Sequence, residues 1–301
     1  MTLSFNRSGQ YKILQLSNPW TDISSCLRRL DGVIAVEQPD LTVVSGEPPL
    51  TEQGTTALRR FCAFMEGYPA KWVLVSGSFE TETAPGPLED ILSATPCCLY
   101  ERERGDVGGG NFEIRLFGTD GKICWALYFF DTGSSVRSSR GDGRAYLDHS
   151  QVEWYVAKRM TTYAEEETFA SIVFLHKALP EHLEACLLRD PQDGAIRAEL
   201  GRLRNAGLFS ALHEDKRALG VFCGTCLGRV VCFERQGITL ASCPPACCSR
   251  ASASGGYRIV LLNESGDRPC LDTYIRLWDG TVRRETVPFC NRPIGEVGNH
   301  G

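Results

Sequence analysis

Short apolar runs alternate with amphipathic stretches over the first third of the chain. Tyr11–Leu16 (YKILQL) reads as a buried strand. Ile23, Cys26, Leu27, Leu30, Val33 and Ile34 then recur at helical spacing, with Thr21 or Asp22 placed to cap the helix and Pro39-Asp40 placed to end it. Leu41–Val44 is the next strand and closes on Ser45-Gly46-Glu47. A second helix carries Leu58, Phe61, Cys62 and Met65, and a third strand, Trp72–Val75, closes on Ser76-Gly77-Ser78. This strand–helix order predicts a parallel sheet with right-handed crossovers.

The pattern then changes. Phe112–Phe117 and Trp125–Phe130 flank Gly118-Thr-Asp-Gly121, which predicts an antiparallel hairpin. The glycine-rich stretch Gly105–Gly110 lacks the Gly-Lys-Ser/Thr of a phosphate-binding loop and opens a strand, so it reads as a turn. Ser134–Gly143 is a polar loop, with Arg137, Arg140 and Arg144 in or beside it. His149–Ala164 reads as a helix, Ser171–His176 as a strand, and Ala195–Asn205 as a helix closed by Gly207. Leu219–Cys223, Val230–Phe233, Ile238–Ala241, Tyr257–Asn263 and Tyr274–Trp278 complete a strand-rich final third. The sum is an α/β fold of two mixed sheets packed face to face with flanking helices. No internal repeat or linker interrupts it, so residues 1–285 read as one domain and 286–301 as a tail. The strand ends at Ser17-Asn18, Gly46-Glu47 and Gly77-Ser78 are where an α/β sheet places its site.

Composition narrows the function classes. The chain has 301 residues, 43% of them hydrophobic, which supports a large core and excludes disorder throughout. A net charge of −5 without a basic stripe argues against nucleic acid and anionic membranes as partners. The longest apolar runs, such as Trp125–Phe130 and Ile259–Leu262, fall far short of the ~20 residues of a membrane span. The N-terminus lacks a signal-peptide pattern, which predicts an intracellular protein, cytoplasmic by default, with an organelle left open.

The 14 cysteines read chiefly as buried thiols. Cys223-Gly-Thr-Cys226, followed by Cys243, Cys247 and Cys248, has a loosely zinc-ribbon-like spacing, so a structural Zn²⁺ is the alternative. Cys223 ends an apolar strand and is expected to point into the core. A redox C-x-x-C normally opens a helix, and none is predicted after Cys226.

Several segments together resemble the metallophosphoesterase (calcineurin-like) superfamily. The resemblance is closest to the purple-acid-phosphatase-like branch of plants and fungi. It runs from Phe5 to Gly280. Phe5–Ser17 resembles the opening strand. Gln38–Glu47 resembles the motif that normally ends Gly-Asp, and Trp72–Glu80 the one that normally reads Gly-Asn-His-Asp or Gly-Asn-His-Glu. Phe130-Asp131-Thr132-Gly133 resembles a Phe-Asp-Ser-Gly turn. Ser150–Tyr155 resembles a Ser-Gln-x-x-Trp-Tyr helix start, and Phe174–Glu181 a Phe-x-His-x-Pro-Leu-Pro-Glu run. Val221–Leu227 stands where the family has Phe-x-Gly-His-x-His, and Ile275–Gly280 resembles the closing strand. The resemblance implies a four-layer α/β/β/α sandwich. It also implies a pair of metal ions held by Asp, His and Asn side chains to clamp a phosphate and activate water.

The ligand positions depart from that pattern. Asn18 and Trp20 replace the Asp and His of the first motif, and Glu47 replaces the bridging Asp. Ser78 and Phe79 replace the Asn and His of the third motif. Thr225 and Leu227 replace the final two histidines, while His176 is retained. Trp20, Phe79 and Leu227 would fill the former cavity with apolar bulk. Scaffold retained and ligands lost imply a pseudoenzyme without cofactor, acting as a scaffold or interaction subunit with protein partners. The alternative is a weak or altered phosphoester hydrolase with a single divalent metal on Glu47, His176 and Asn18, joined by Asp22 or Asp131.

Overall fold

The computed structural model describes residues 1–6, 8–49, 51–77, 86–100, 110–132, 147–247, 255–264 and 269–284. In chain order its strands are β1 (Thr2–Ser4), β2 (Gln10–Ser17), β3 (Leu41–Ser45), β4 (Lys71–Val75), β5 (Phe112–Phe117), β6 (Ile123–Phe130) and β7 (Ala170–Lys177). They continue with β8 (Ala218–Thr225), β9 (Cys232–Arg235), β10 (Ile238–Ser242), β11 (Gly256–Asn263), β12 (Leu271–Leu277) and β13 (Val282–Arg283). The helices are α1 (Ile23–Glu37), α2 (Glu52–Met65), α3 (Gly86–Ser93), α4 (His149–Glu165), α5 (Pro180–Arg189), α6 (Gly194–Leu200) and α7 (Leu208–Asp215).

Two mixed sheets form, as the alternation of elements predicts. One has the order β13-β12-β11-β2-β3-β4, the other β1-β5-β6-β7-β8-β10-β9. β2, β3 and β4 run parallel, with Ile13 opposite Leu41 and Leu41 opposite Lys71. In the other sheet β5 and β6 form the expected antiparallel hairpin, and β6, β7, β8 and β10 run parallel. Alternation along each strand sends one set of side chains inward between the sheets. Ile13, Val43, Val75, Val260 and Leu262 meet Leu116, Leu127, Ile172 and Phe222 there. The opposite set faces helices. Leu14, Leu16, Val44 and Trp72 pack on Cys26, Leu30 and Ile34 of α1 and on Leu58 and Phe61 of α2. Phe130, Val173, Leu175 and Val221 pack on α4, α5 and α7.

Local chemistry places the helices. Asp22 accepts the Ser25 N–H and starts α1. Gln38 ends it in the left-handed conformation, φ +47°, because Pro39 cannot continue the helix. Asp148 and Gln151 form a reciprocal capping box at α4.

Some boundaries differ from the sequence reading. The helix expected over Ala195–Asn205 stops at Leu200. Asn205 instead accepts the Gly207 N–H and donates to Glu181, which holds the chain out of the helix. Gly207, φ +88°, caps the start of α7 rather than closing α6. The strand expected at Val230–Phe233 begins at Cys232. The helices α3, α5 and α7 and the edge strands β1 and β13 went unread. The turn at Gly105–Gly109, the loop Ser134–Gly143 with Arg144, and the tail 286–301 lie outside the described residues. Among the described residues no helix is long and apolar enough to cross a membrane.

Candidate functional site

The carboxyl ends of β2, β3, β4, β7 and β8 converge on one side chain, His176. It is the penultimate residue of β7 and is 3% exposed. The surrounding backbone comes close because three neighbours are glycines. A Cβ on Gly46 would lie 2.7 Å from His176 Cε1, one on Gly77 2.3 Å from His176 Cβ, and one on Gly224 2.6 Å from His176 Nδ1. No side chain larger than hydrogen fits at these points.

Asn18 follows β2 in the left-handed conformation, φ +48°. Its amide Nδ2 stands 3.5 Å from His176 Nε2, in position to donate when Nε2 is the acceptor. His176 Nδ1 is buried and has no hydrogen-bond partner among the described residues. Burial, and secondarily the neighbouring Lys177, lower the imidazole pKa to about 3, so the ring is neutral at ordinary pH. Glu47, 4% exposed, accepts the Gly77 N–H at 2.7 Å and so links the ends of β3 and β4. Ser45 donates to Leu16 O, while Thr132 donates to Ser76 O and accepts the Lys177 N–H.

The remaining predicted positions behave differently. The Trp20 indole donates to Gly46 O at 2.6 Å, and its ring packs edge-on against Phe61. It therefore braces the β3 turn from the helix side. Thr225 ends β8 opposite Lys177. Leu227 is 40% exposed in a left-handed turn with Gly228, so it does not fill a cavity as expected. Asp22 caps α1, and Asp131 packs against Gly110. Ser78 and Phe79 lie outside the described residues. The structure thus joins Asn18, Glu47 and His176 at one point. Among the described residues no group of three or more His, Cys, Asp or Glu side chains is placed to hold a metal.

Among the described residues the cysteines considered for zinc form no group of three or more placed to hold a metal. Cys243 donates to Gln15 O and is pushed up to about 12 by burial. Cys223 is fully buried, and burial raises its thiol pKa. Cys226 lies 3.5 Å from Cys186, and Cys247 donates to Pro19 O. Cys248 lies outside the described residues. The sequence reading missed Ser45, Thr132 and Cys186. The first two stand inside motifs it had already singled out, whereas no spacing pattern marks Cys186.

No family model matches the chain, and no curated protein matches it. Several solved structures are similar in chain path. TT1561 of Thermus thermophilus is 14% identical with a TM-score of 0.47, over 87% of this chain and 97% of that one. A novel phosphatase from Mycoplasma pneumoniae is 10% identical with a TM-score of 0.39, over 91% of each chain. A single-mutant Vps29 from Entamoeba histolytica is 9% identical with a TM-score of 0.32, over 91% of this chain and 97% of that one. At these values the reading of the site rests on its own residues.

The residues at the strand ends do not fit a two-metal centre. Among the described residues they offer one carboxylate, one imidazole and one amide, where two adjacent cations need several anionic ligands. Glu47 is already bound to a backbone N–H, and the Asn18 amide faces one of the two His176 ring nitrogens.

Proposed function

We propose that this chain is a catalytically inactive metallophosphoesterase-like protein that serves as a scaffold or interaction subunit with protein partners. The observation that carries the reading is how the converged strand ends use their polar groups. Glu47 binds the Gly77 amide, the Asn18 amide meets His176 Nε2, and the Trp20 indole holds Gly46 O. A site that closes on its own backbone has little charge left for a phosphate clamp. Two further points support the superfamily. The segments that resemble its motifs lie far apart in sequence yet meet around His176. The glycines those segments contain are the ones against which the His176 ring packs. The finer assignment to the purple-acid-phosphatase-like branch is supported by the sequence stretches Ser150–Tyr155 and Phe174–Glu181.

Metal analysis of protein purified from its native source, together with hydrolysis of p-nitrophenyl phosphate in added Mn²⁺ or Zn²⁺, tests the proposal. Substoichiometric metal, a fixed set of co-purifying proteins and no turnover above that of Glu47→Ala are expected. Two bound metals per chain, or metal-dependent turnover that Glu47→Ala or His176→Ala abolishes, would sink it. A single bound metal with such turnover would establish the weak hydrolase instead.

A further inference from the structure

Sequence spacing pairs Cys226 with Cys223, but the fold gives Cys226 another neighbour. Cys226 directly follows β8, and Cys186 lies within α5. Their Sγ atoms are 3.5 Å apart across a sequence separation of 40 residues. Thiols in contact need to approach by only about 1.5 Å to reach bonding distance. The two side chains also sit on elements that leave the His176 cluster. α5 begins just beyond β7, which carries His176, and Gly224, packed on the His176 ring, precedes Cys226 by two residues.

The chemistry around the two sulfurs is unequal. The hydrogen bond with Cys226, in which either sulfur can donate, lowers the pKa of the Cys186 thiol; burial and Asp193 oppose this, and Arg229 and Arg189 assist it. The same hydrogen bond, with burial, raises that of Cys226. Cys186, whose thiol pKa is lowered, is the better attacking sulfur of the pair, and Cys226 lies within reach to resolve the mixed disulfide. Both are buried, at 5% and 1% exposure, but the turn that directly follows Cys226 is exposed. Leu227, the next residue, is 40% exposed, and the left-handed Leu227-Gly228 turn carries Arg229 at the surface. Local opening of that turn admits a small oxidant.

We propose that Cys186 and Cys226 form a reversible thiol–disulfide couple that fastens the turn after β8 to α5. A low-molecular-weight disulfide such as oxidised glutathione is the oxidant. The Cys186 thiolate attacks one of its sulfurs, forms a mixed disulfide and releases the other half as a thiolate, which takes up a proton. Cys226 then loses its proton to solvent and displaces the second half. The protein dithiol is oxidised by two electrons and one oxidant molecule is reduced to two thiols. The bond closes a ring over residues 186–226, which contains α6, α7 and β8. The couple does not depend on whether the strand ends bind metal.

The test treats the folded full-length chain with oxidised glutathione, blocks free thiols with N-ethylmaleimide and maps the peptides by mass spectrometry. A Cys186–Cys226 link that dithiothreitol reverses is expected. The melting temperature should rise by about 5 °C on oxidation, the size expected for closing a ring of this length in a chain of this size. In Cys226→Ala the ring cannot close, and Cys186 should retain one glutathione. Quantitative alkylation of both cysteines in the wild-type chain overturns the proposal whatever the variants do. A link from either residue to a different cysteine does so too.

Discussion

Three glycines determine how closely the backbone of β3, β4 and β8 approaches the His176 ring, and their absent side chains leave the imidazole enclosed by protein. Burial pushes His176 down to about 3, against about 6.5 when the chain is unfolded. Above pH 6.5 neither state binds the proton and the group contributes no pH dependence. As pH falls below 6.5 the unfolded chain takes up a proton that the folded chain refuses, so stability drops until the folded pKa is reached. At pH 5 one such histidine costs about 2 kcal/mol. His176→Asn removes the titration while keeping a polar group of smaller size. Urea denaturation at pH 7 and pH 5 should show the wild type losing about 2 kcal/mol more than the variant. Parallel losses would mean that the ring is protonated within the fold.

Among the helices, α4 shows how one side chain can set both an element and a loop. Gln151 accepts the Asp148 N–H at the helix start, and its amide donates to Asn111 Oδ1 and to Asp131 O, each at 2.8 Å. Asn111 Oδ1 also accepts the Asp131 N–H. Trp154 and Tyr155, one turn later, pack edge-on to Phe130 and Tyr128, and the Tyr155 hydroxyl donates to buried Asp215. Gln151→Ala should therefore cost about 2 kcal/mol, since it removes both donations of a buried amide and the Gln151 half of the capping box. Gln151→Glu should also destabilise, because a carboxylate cannot donate to Asn111 or Asp131. Equal stability of Gln151→Glu and wild type in denaturant titration would refute this assignment. This helix start was legible in the sequence because its aromatics and its spacing are local, whereas the Asp148 cap was not read. The strands were legible for the same reason, since burial on both faces leaves uninterrupted apolar runs such as Trp72–Val75. α6 was misread because Asn205, held by Glu181 in another helix, removes residues that helical periodicity alone would include. At the site, Asn18 and Glu47 were readable from strand ends, and His176 from the resemblance of Phe174–Glu181 to a family motif. The Cys186–Cys226 contact was not, because it forms only once β7, α5 and β8 are folded together.

Across the whole molecule the two sheets are joined by an apolar layer, and the charged side chain of Arg258 is set into it. Phe112, Phe129, Phe174 and Phe222 stack face to face on β5, β6, β7 and β8, with centroids 4.5, 5.4 and 5.4 Å apart, and form a continuous aromatic row on the inner face of one sheet. Arg258 reaches across from β11 in the other sheet and is fully buried. Its Nε and Nη2 donate to Ser242 O on β10, Nη2 also reaches Val231 O, and Nη1 donates to Thr273 Oγ1 on β12. Ser242 in turn receives the Val231 N–H and donates to Arg229 O. The guanidinium therefore fixes the register between the sheets near the segment that leads from β8 to β10. An apolar layer alone would allow such a slip, because hydrophobic contact is non-directional. Arg258→Met keeps much of the volume but removes both guanidinium donors to the buried Ser242 carbonyl and the one to Thr273 Oγ1, and a loss of about 3 kcal/mol is expected. Arg258→Lys keeps the charge but cannot reproduce the planar fork, so it should recover little of that loss. The decisive measurement compares both variants by denaturant titration. Full recovery in Arg258→Lys would show that the buried charge, rather than the directed hydrogen bonds, holds the sheets in register.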